Sequence, residues 1–251
     1  MDTVKEMTKK LESLRYHYEV SHLFEDFLEL VAITISNSVD RHQYEKREAR
    51  YMQLIGKYNP KEANLFAELF AMLVMALEEK PEDYLGQLFM ELELYNTFKG
   101  QFFTPLSVAN AMARMTLDEK FDSIMDEKGY VTVNEPTTGG GVTIIALYNE
   151  IMRRGYNPQQ AMQVVAQDID SKAVHMTYIQ LSLLGINIQV IRGDTLALEC
   201  REVWKSPGHF LMAGRGIGIK KIIEEVKTPE IEAGEEIAIF QMERVEQLTL
   251  F

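Results

Sequence analysis

Over residues 130–194 short β-rich runs alternate with segments of helical length, and each run closes on glycine or an acid. Residues 130–134 lead into Glu135-Pro136-Thr137-Thr138-Gly139-Gly140-Gly141 and a helical segment over 142–153. Residues 164–167 lead into Asp168-Ile169-Asp170 and a helical segment over 171–184, and residues 187–191 lead into Gly193-Asp194. This is the spacing of βαβ units, and it predicts an α/β core with a mostly parallel sheet covered by helices. Ligands of open α/β sheets bind outside the carboxyl ends of the strands, so the three endings describe one crevice.

Before this core the grammar is helical. Leu11, Leu14 and Tyr18, then Leu23, Phe24, Phe27, Leu28 and Val31, then Phe66, Phe70, Leu73 and Leu77 recur at intervals of mostly three and four residues. Asn59-Pro60 breaks the pattern, and Pro81-Glu82-Asp83 reads as a turn and a helix start. The expected division is an N-terminal lobe of four or five helices over 1–99 and an α/β core over 100–251 with an irregular C-terminal part. Gly100 to Thr104 reads as a loop, with Pro105 suited to the first turn of a helix through Met115. Residues 204–218, with Pro207 and four glycines, read as a loop-rich connection, and residues 236–245 are compatible with a strand.

Composition narrows the chemistry. With 26 Lys and Arg against 38 Asp and Glu, the net charge is -12, so contact with nucleic acid needs a local basic face or a basic partner. The basic residues Arg215, Lys220 and Lys221 near Gly214-Arg215-Gly216-Ile217-Gly218 read as a surface loop, or as a mobile basic loop near DNA. Cys200 is the only cysteine, which excludes an intramolecular disulfide, a four-cysteine zinc site and an iron–sulfur cluster held by this chain alone. His17, His22, His42, His175 and His209 form no HExxH arrangement, so no metal is expected, and Ser182 has no nucleophile-elbow context. The longest apolar run, over 69–77, falls far short of the roughly 20 residues that span a bilayer. A soluble, cytoplasmic protein without a membrane partner is expected.

The Gly139-Gly140-Gly141 turn lets the backbone approach a ligand closely, at the start of a helix whose N–H groups are donors. It does not follow the GxGxxG pattern of nicotinamide enzymes. Asp168, ending a strand, can accept both hydroxyls of a ribose. The plainer readings are a flexible turn for the glycines and local capping for Asp168 and Asp194.

Gly100-Gln101-Phe102-Phe103-Thr104-Pro105, the run NEPTTGGGVTIIAL over 134–147, QDIDSKAV over 167–174 and GDTL over 193–196 stand in the order of the motifs of adenine-specific (N6) DNA methyltransferases. The chain resembles that family over residues 90–200, above all the modification subunits of type I restriction systems. The resemblance implies a methyltransferase-type, Rossmann-like sheet that binds S-adenosylmethionine. Thr104 would line the cofactor pocket and Glu135 would sit near the methionine amino end. Thr137, Gly139 and Gly141 would lie along the cofactor, Asp168 would hold the ribose hydroxyls, Ile169 would pack on the adenine ring, and Asp194 would face that ring's exocyclic amine. Where the family more often carries an Ala-Cys-Gly-Ser-Gly-like loop, this chain has Thr137-Thr138-Gly139-Gly140-Gly141.

The same resemblance calls for an Asn or Asp, two prolines and an aromatic residue at the end of a fourth strand, where a flipped adenine would be held. No such run follows Asp194. Trp204, Pro207 and Phe210 are the nearest candidates for a divergent base pocket, with packing as their plainer role, and His209 has no evident partner. Two functions are therefore expected to compete: a DNA adenine methyltransferase, alone or with a specificity partner, and a catalytically inactive methyltransferase-like protein acting with a DNA-modification or replication partner. The terminal Gln247-Leu248-Thr249-Leu250-Phe251 resembles the short peptide by which bacterial replication proteins bind the sliding clamp, with Gln247, Leu248, Leu250 and Phe251 as anchors. Its alternative is a last strand packed on the chain's own core.

Overall fold

The computed structural model describes residues 2–94, 104–117, 119–213 and 248–249. The N-terminal part is built from α1 (Thr3–Glu12), α2 (Val20–Asn37), α3 (Tyr44–Ile55), α4 (Pro60–Glu79) and α5 (Tyr84–Glu91). The Asn59-Pro60 break is the start of α4. The Asn59 side chain accepts from the backbone of Lys61 and Glu62, and the Glu62 carboxylate accepts from the Asn59 N–H, a reciprocal cap. Leu23, Phe24, Phe27, Leu28 and Val31 of α2 are buried as their spacing predicts, and so are Leu30, Ala32 and Ile33. Helix α2 is covered on more than one side because it lies between α3 and the core helix α10 (Ser171–Leu183).

The rest of the chain contributes α6 (Leu106–Thr116), α7 (Glu119–Lys128), β1 (Val131–Glu135), α8 (Val142–Arg153), α9 (Pro158–Ala161), β2 (Met162–Asp168), β3 (Asn187–Arg192), β4 (Glu202–Lys205), α11 (Pro207–Ala213) and β5 (Leu248–Thr249). Strands β1, β2 and β3 are parallel neighbours in a five-stranded sheet of order β4-β3-β2-β1-β5. Val131, Val133 and Glu135 of β1 are buried in alternation, the period of a strand with one face toward the core. A continuous apolar cluster runs from Leu11 and Phe24 in the helical part to Val133, Ile188 and Trp204 in the sheet. Burying that much apolar surface in one body is the main favourable term holding the helices to the core.

The structure departs from the expected loop over 204–218. Residues 202–205 form β4, antiparallel to β3, and Pro207 opens α11. The short strand is closed by Ser206, whose hydroxyl accepts from the Ile188 N–H and donates to the Ile186 carbonyl. Gly208 lies so near the Ile186 carbonyl that a Cβ there would be 2.6 Å from its oxygen. Residues Gly100 to Phe103, 214–247, Leu250 and Phe251 lie outside the described residues, and with them the expected strand over 236–245, the basic residues Arg215, Lys220 and Lys221, and Gln247. Leu248 and Thr249 pair with Val133 and Asn134 of β1. Among the described residues no helix is long and apolar enough to cross a membrane.

Candidate functional site

Glu135 ends β1, Asp168 ends β2, and Asp194 follows β3 by two residues. The pairing of Glu135 with Ala166 and of Asp168 with Arg192 places all three at the same end of the sheet. The loop from Pro136 to Gly141 is fixed there by its neighbours. Thr138 N–H donates to the Gln167 carbonyl at 2.9 Å, and the Thr195 hydroxyl donates to the Pro136 carbonyl at 2.7 Å. Gly139 has φ 55° and Gly141, the residue that caps α8, has φ 91°. Both lie in the left-handed region where a side chain costs about 1–2 kcal/mol.

Asp168 joins the loop to the second strand. Its Oδ2 accepts from the Gly139 N–H and its Oδ1 from the Asp170 N–H, each at 3.0 Å. Burial pushes this carboxyl above the usual range, against the pull of the two amides. Each oxygen keeps accepting capacity, so two neighbouring hydroxyls can still donate to it. Beside it, Ile169 presents an apolar side chain that is 57% exposed.

Glu135 is 3% exposed. Its carboxyl accepts from the Thr137 N–H at 3.2 Å and the Thr143 hydroxyl at 2.9 Å. Burial, with a smaller push from Asp168, raises it to about 7. Among the described residues no Lys or Arg pairs with it, so a bound cation would be the natural way to hold it ionised. Asp194 follows its plainer reading in part: Oδ1 accepts from the Leu196 and Ala197 amides and shapes the turn after β3. Thr137 is exposed at the loop's rim, and Thr104 is half-buried two residues ahead of α6.

Three residues that the sequence did not assign to the site support the loop from behind. The Thr177 hydroxyl on α10 donates to the Gly139 carbonyl and lies 3.1 Å from the Thr138 hydroxyl. Gln180, one turn along, donates to the Gly140 carbonyl and to Asp83, which caps α5. Thr177 and Gln180 stand at helical spacing on the segment after Asp168, the one signal that could have marked them. Asp83 is 97 residues from Gln180, beyond the reach of local pattern.

The candidates for a base pocket are not brought to this crevice. Strand β4 carries the chain back from Glu202, opposite Arg192, to Lys205, opposite Gln189, so Pro207 and Phe210 lie by the start of β3, at the other end of the sheet. Trp204 is buried, with the Arg47 guanidinium 3.9 Å from its ring centroid and the rings of His175 and Tyr178 at 5.0 and 5.2 Å. That is a packing role. His209, expected to lack a partner, has its Nδ1 3.2 Å from Asn187 Oδ1. Among the described residues no cluster of three or more His, Cys, Asp or Glu is arranged to hold a metal ion.

The family model described as N-6 DNA Methylase matches residues 87–221. No curated protein matches the chain. Among solved structures, a Listeria monocytogenes chain described as a class I S-adenosylmethionine-dependent methyltransferase is 12% identical, with a TM-score of 0.43, over 86% of this chain and 69% of the other. A type I restriction-modification system methyltransferase subunit from Streptococcus thermophilus is 19% identical, with a TM-score of 0.39, over 77% of this chain and 39% of the other.

Proposed function

The chain belongs to the N-6 DNA methylase family, whose cofactor is S-adenosylmethionine, and on that premise we propose that the crevice at the ends of β1, β2 and β3 binds this cofactor for methylation of adenine N6 in DNA. The observation that carries the reading is the junction of Gly139 and Asp168, flanked by exposed Ile169 and buried Glu135. These residues fit the group. Asp168 can accept the two ribose hydroxyls, Ile169 offers an apolar face to the adenine ring, and Glu135, buried with no Lys or Arg partner among the described residues, suits the methionine ammonium. Thr104, Thr137, Gly139, Gly141 and Asp194 complete the proposed lining.

When bound, the cofactor supplies a methyl group on a sulfonium; its transfer to the adenine amine leaves a thioether and releases one proton. The chain's own residues contribute binding and orientation. The left-handed glycines and the amide bridge to Asp168 hold the loop in one shape before the ligand arrives, so less ordering remains to be done on binding.

The residues that would hold the target base are proposed to come from a partner subunit. The chain has seven prolines and no two are adjacent. Its two Asn-Pro pairs are committed to structure, since Asn59 caps α4 and Asn157 caps α9. The net charge of -12 likewise favours a basic partner at the DNA. In this reading the helices over 1–99 support the cofactor loop. The test is transfer of labelled methyl from S-adenosylmethionine to unmethylated DNA. Cofactor binding without product by the isolated chain, and N6-methyladenine once its specificity partner is added, is the expected result; product from the chain alone would contradict the need for a partner. The remote placement of Trp204, Pro207 and Phe210 also favours a second reading, a cofactor-binding protein that transfers no methyl group, and absence of product with the partner present would select it.

A further inference from the structure

We propose that Asp83, acting through Gln180, is a positioning residue for the glycine loop of the crevice, an inference that rests on the cofactor reading given above. Asp83 is 5% exposed and lies in the helical part of the chain, far from the sheet in sequence. Its Oδ1 accepts from the Gly86 N–H and from Gln180 Nε2, both at 2.8 Å. The same Nε2 donates to the Gly140 carbonyl at 2.9 Å, and Gln180 Oε1 accepts from the Leu85 N–H at 3.1 Å. One fully buried amide therefore ties α5, α10 and the loop together.

Capping of α5 accounts for the bond to Gly86 and for nothing else in this arrangement. Space has been left for the carboxyl on both sides. A Cβ at Gly140 would stand 2.8 Å from Asp83 Oδ2, and one at Gly86 would collide with the same group. The loop is thus gripped at three successive groups. Gly139 N–H is held by Asp168, the Gly139 carbonyl by Thr177, and the Gly140 carbonyl by Gln180. Only the first of these faces the proposed ligand. The other two fix the next two peptide planes and so the course of the chain directly after the Gly139 N–H, and a site loosened from behind binds more weakly without losing a single ligand contact.

The experiment compares the full chain with Gln180→Met, Asp83→Ala, Asp83→Asn and Leu73→Ala. The last removes fully buried packing in α4 and serves as the stability control. Two quantities are read: amide hydrogen exchange at Thr138, Gly139 and Gly141 in the free protein, and affinity for S-adenosylmethionine by titration. Gln180→Met and Asp83→Ala are expected to speed exchange at these amides and weaken binding, each by about tenfold or more, the scale of one lost buried hydrogen bond. Asp83→Asn keeps the accepting oxygen and is expected to stay within about threefold of the parent, while Leu73→Ala lowers the melting temperature and leaves both readouts in place. Loop protection and affinity that fall with overall stability alike in Gln180→Met and Leu73→Ala would overturn the proposal, as would an Asn variant no better than Ala. If the parent bound no cofactor, the reading of the crevice would fall, and the exchange comparison would still decide whether Asp83 holds the loop.

Discussion

The Gly139 N–H donates to Asp168 Oδ2 at 3.0 Å, so the glycine loop that ends the first strand and the acid that ends the second are one unit. Thr138, one residue earlier, adds a backbone bond to Gln167, and Gly193 N–H, after the third strand, donates to the Asp168 carbonyl at 2.9 Å. Asp168 thereby connects all three strand endings through its side chain and its backbone. A ligand that bonds to its carboxylate addresses a preassembled surface.

Gly193 is required by space. A Cβ there would run into the Glu199 carbonyl, which belongs to the backbone and cannot rotate away. Gly193→Ala is expected to destabilise the fold by about 1–3 kcal/mol and to weaken cofactor binding by displacing the loop that carries Asp194. Urea denaturation and titration of the same variant check the two effects.

Glu135 makes the stability of the free protein depend on pH. Its carboxyl is raised from 4.5 to about 7 in the folded state, so the folded form holds its proton more tightly than the unfolded form. The resulting stabilisation is complete below about 4.5 and is lost as pH rises through 7, with a total on the order of 3 kcal/mol. Glu135→Gln, which cannot ionise, is expected to flatten this dependence and to be the more stable protein at pH 8. It should also bind the cofactor more weakly, because the ammonium loses its counter-charge. Denaturation midpoints of both proteins between pH 5 and 8 provide the check.

His175 works in the opposite direction. Burial lowers it from 6.5 to about 4, and His209 is lowered to about 4 as well. Stability from keeping these rings neutral is present above pH 6.5 and is lost as pH falls through 4. His175→Gln should therefore lose less stability than the parent between pH 6.5 and 4. Trp204, the chain's one tryptophan, packs against His175 and makes fluorescence the direct probe.

Arg47 joins the helical part to the edge strand. It is 4% exposed, bonds to Ser36 and Asp40, donates to the Val203 carbonyl at 3.0 Å and lies over Trp204. Arg47→Met removes the buried cation and leaves Asp40 without its partner, a change expected to cost about 3–5 kcal/mol. Asp40→Asn in the Met background should recover part of that loss, and a double-mutant cycle by urea denaturation measures it.

The core was legible because its signals are local. Valines alternating over 131–133, glycines at 139 and 141, and an acid at 168 mark strand, turn and strand end without knowledge of the rest of the chain. The matched family region, 87–221, includes the four motifs from 100 to 196. The edge strand β4 was missed because four residues ahead of a proline carry too little pattern, and its pairing is set by Ser206 and by Trp204 packing under Arg47. Asp83 and Gln180 were missed for another reason. Each has an ordinary local role, as a helix cap and as a helix residue, and their meaning at the loop comes from a contact across 97 positions.

The most direct test of the account is calorimetric titration of the chain and of Asp168→Ala with S-adenosylmethionine. The account predicts saturable binding by the parent and an affinity at least about tenfold weaker in the variant, which loses the carboxylate for the ribose hydroxyls and the anchor of Gly139 together. A well-folded parent that shows no binding at roughly millimolar cofactor, far above the range of a working site, or a variant that binds as tightly as the parent, would contradict it.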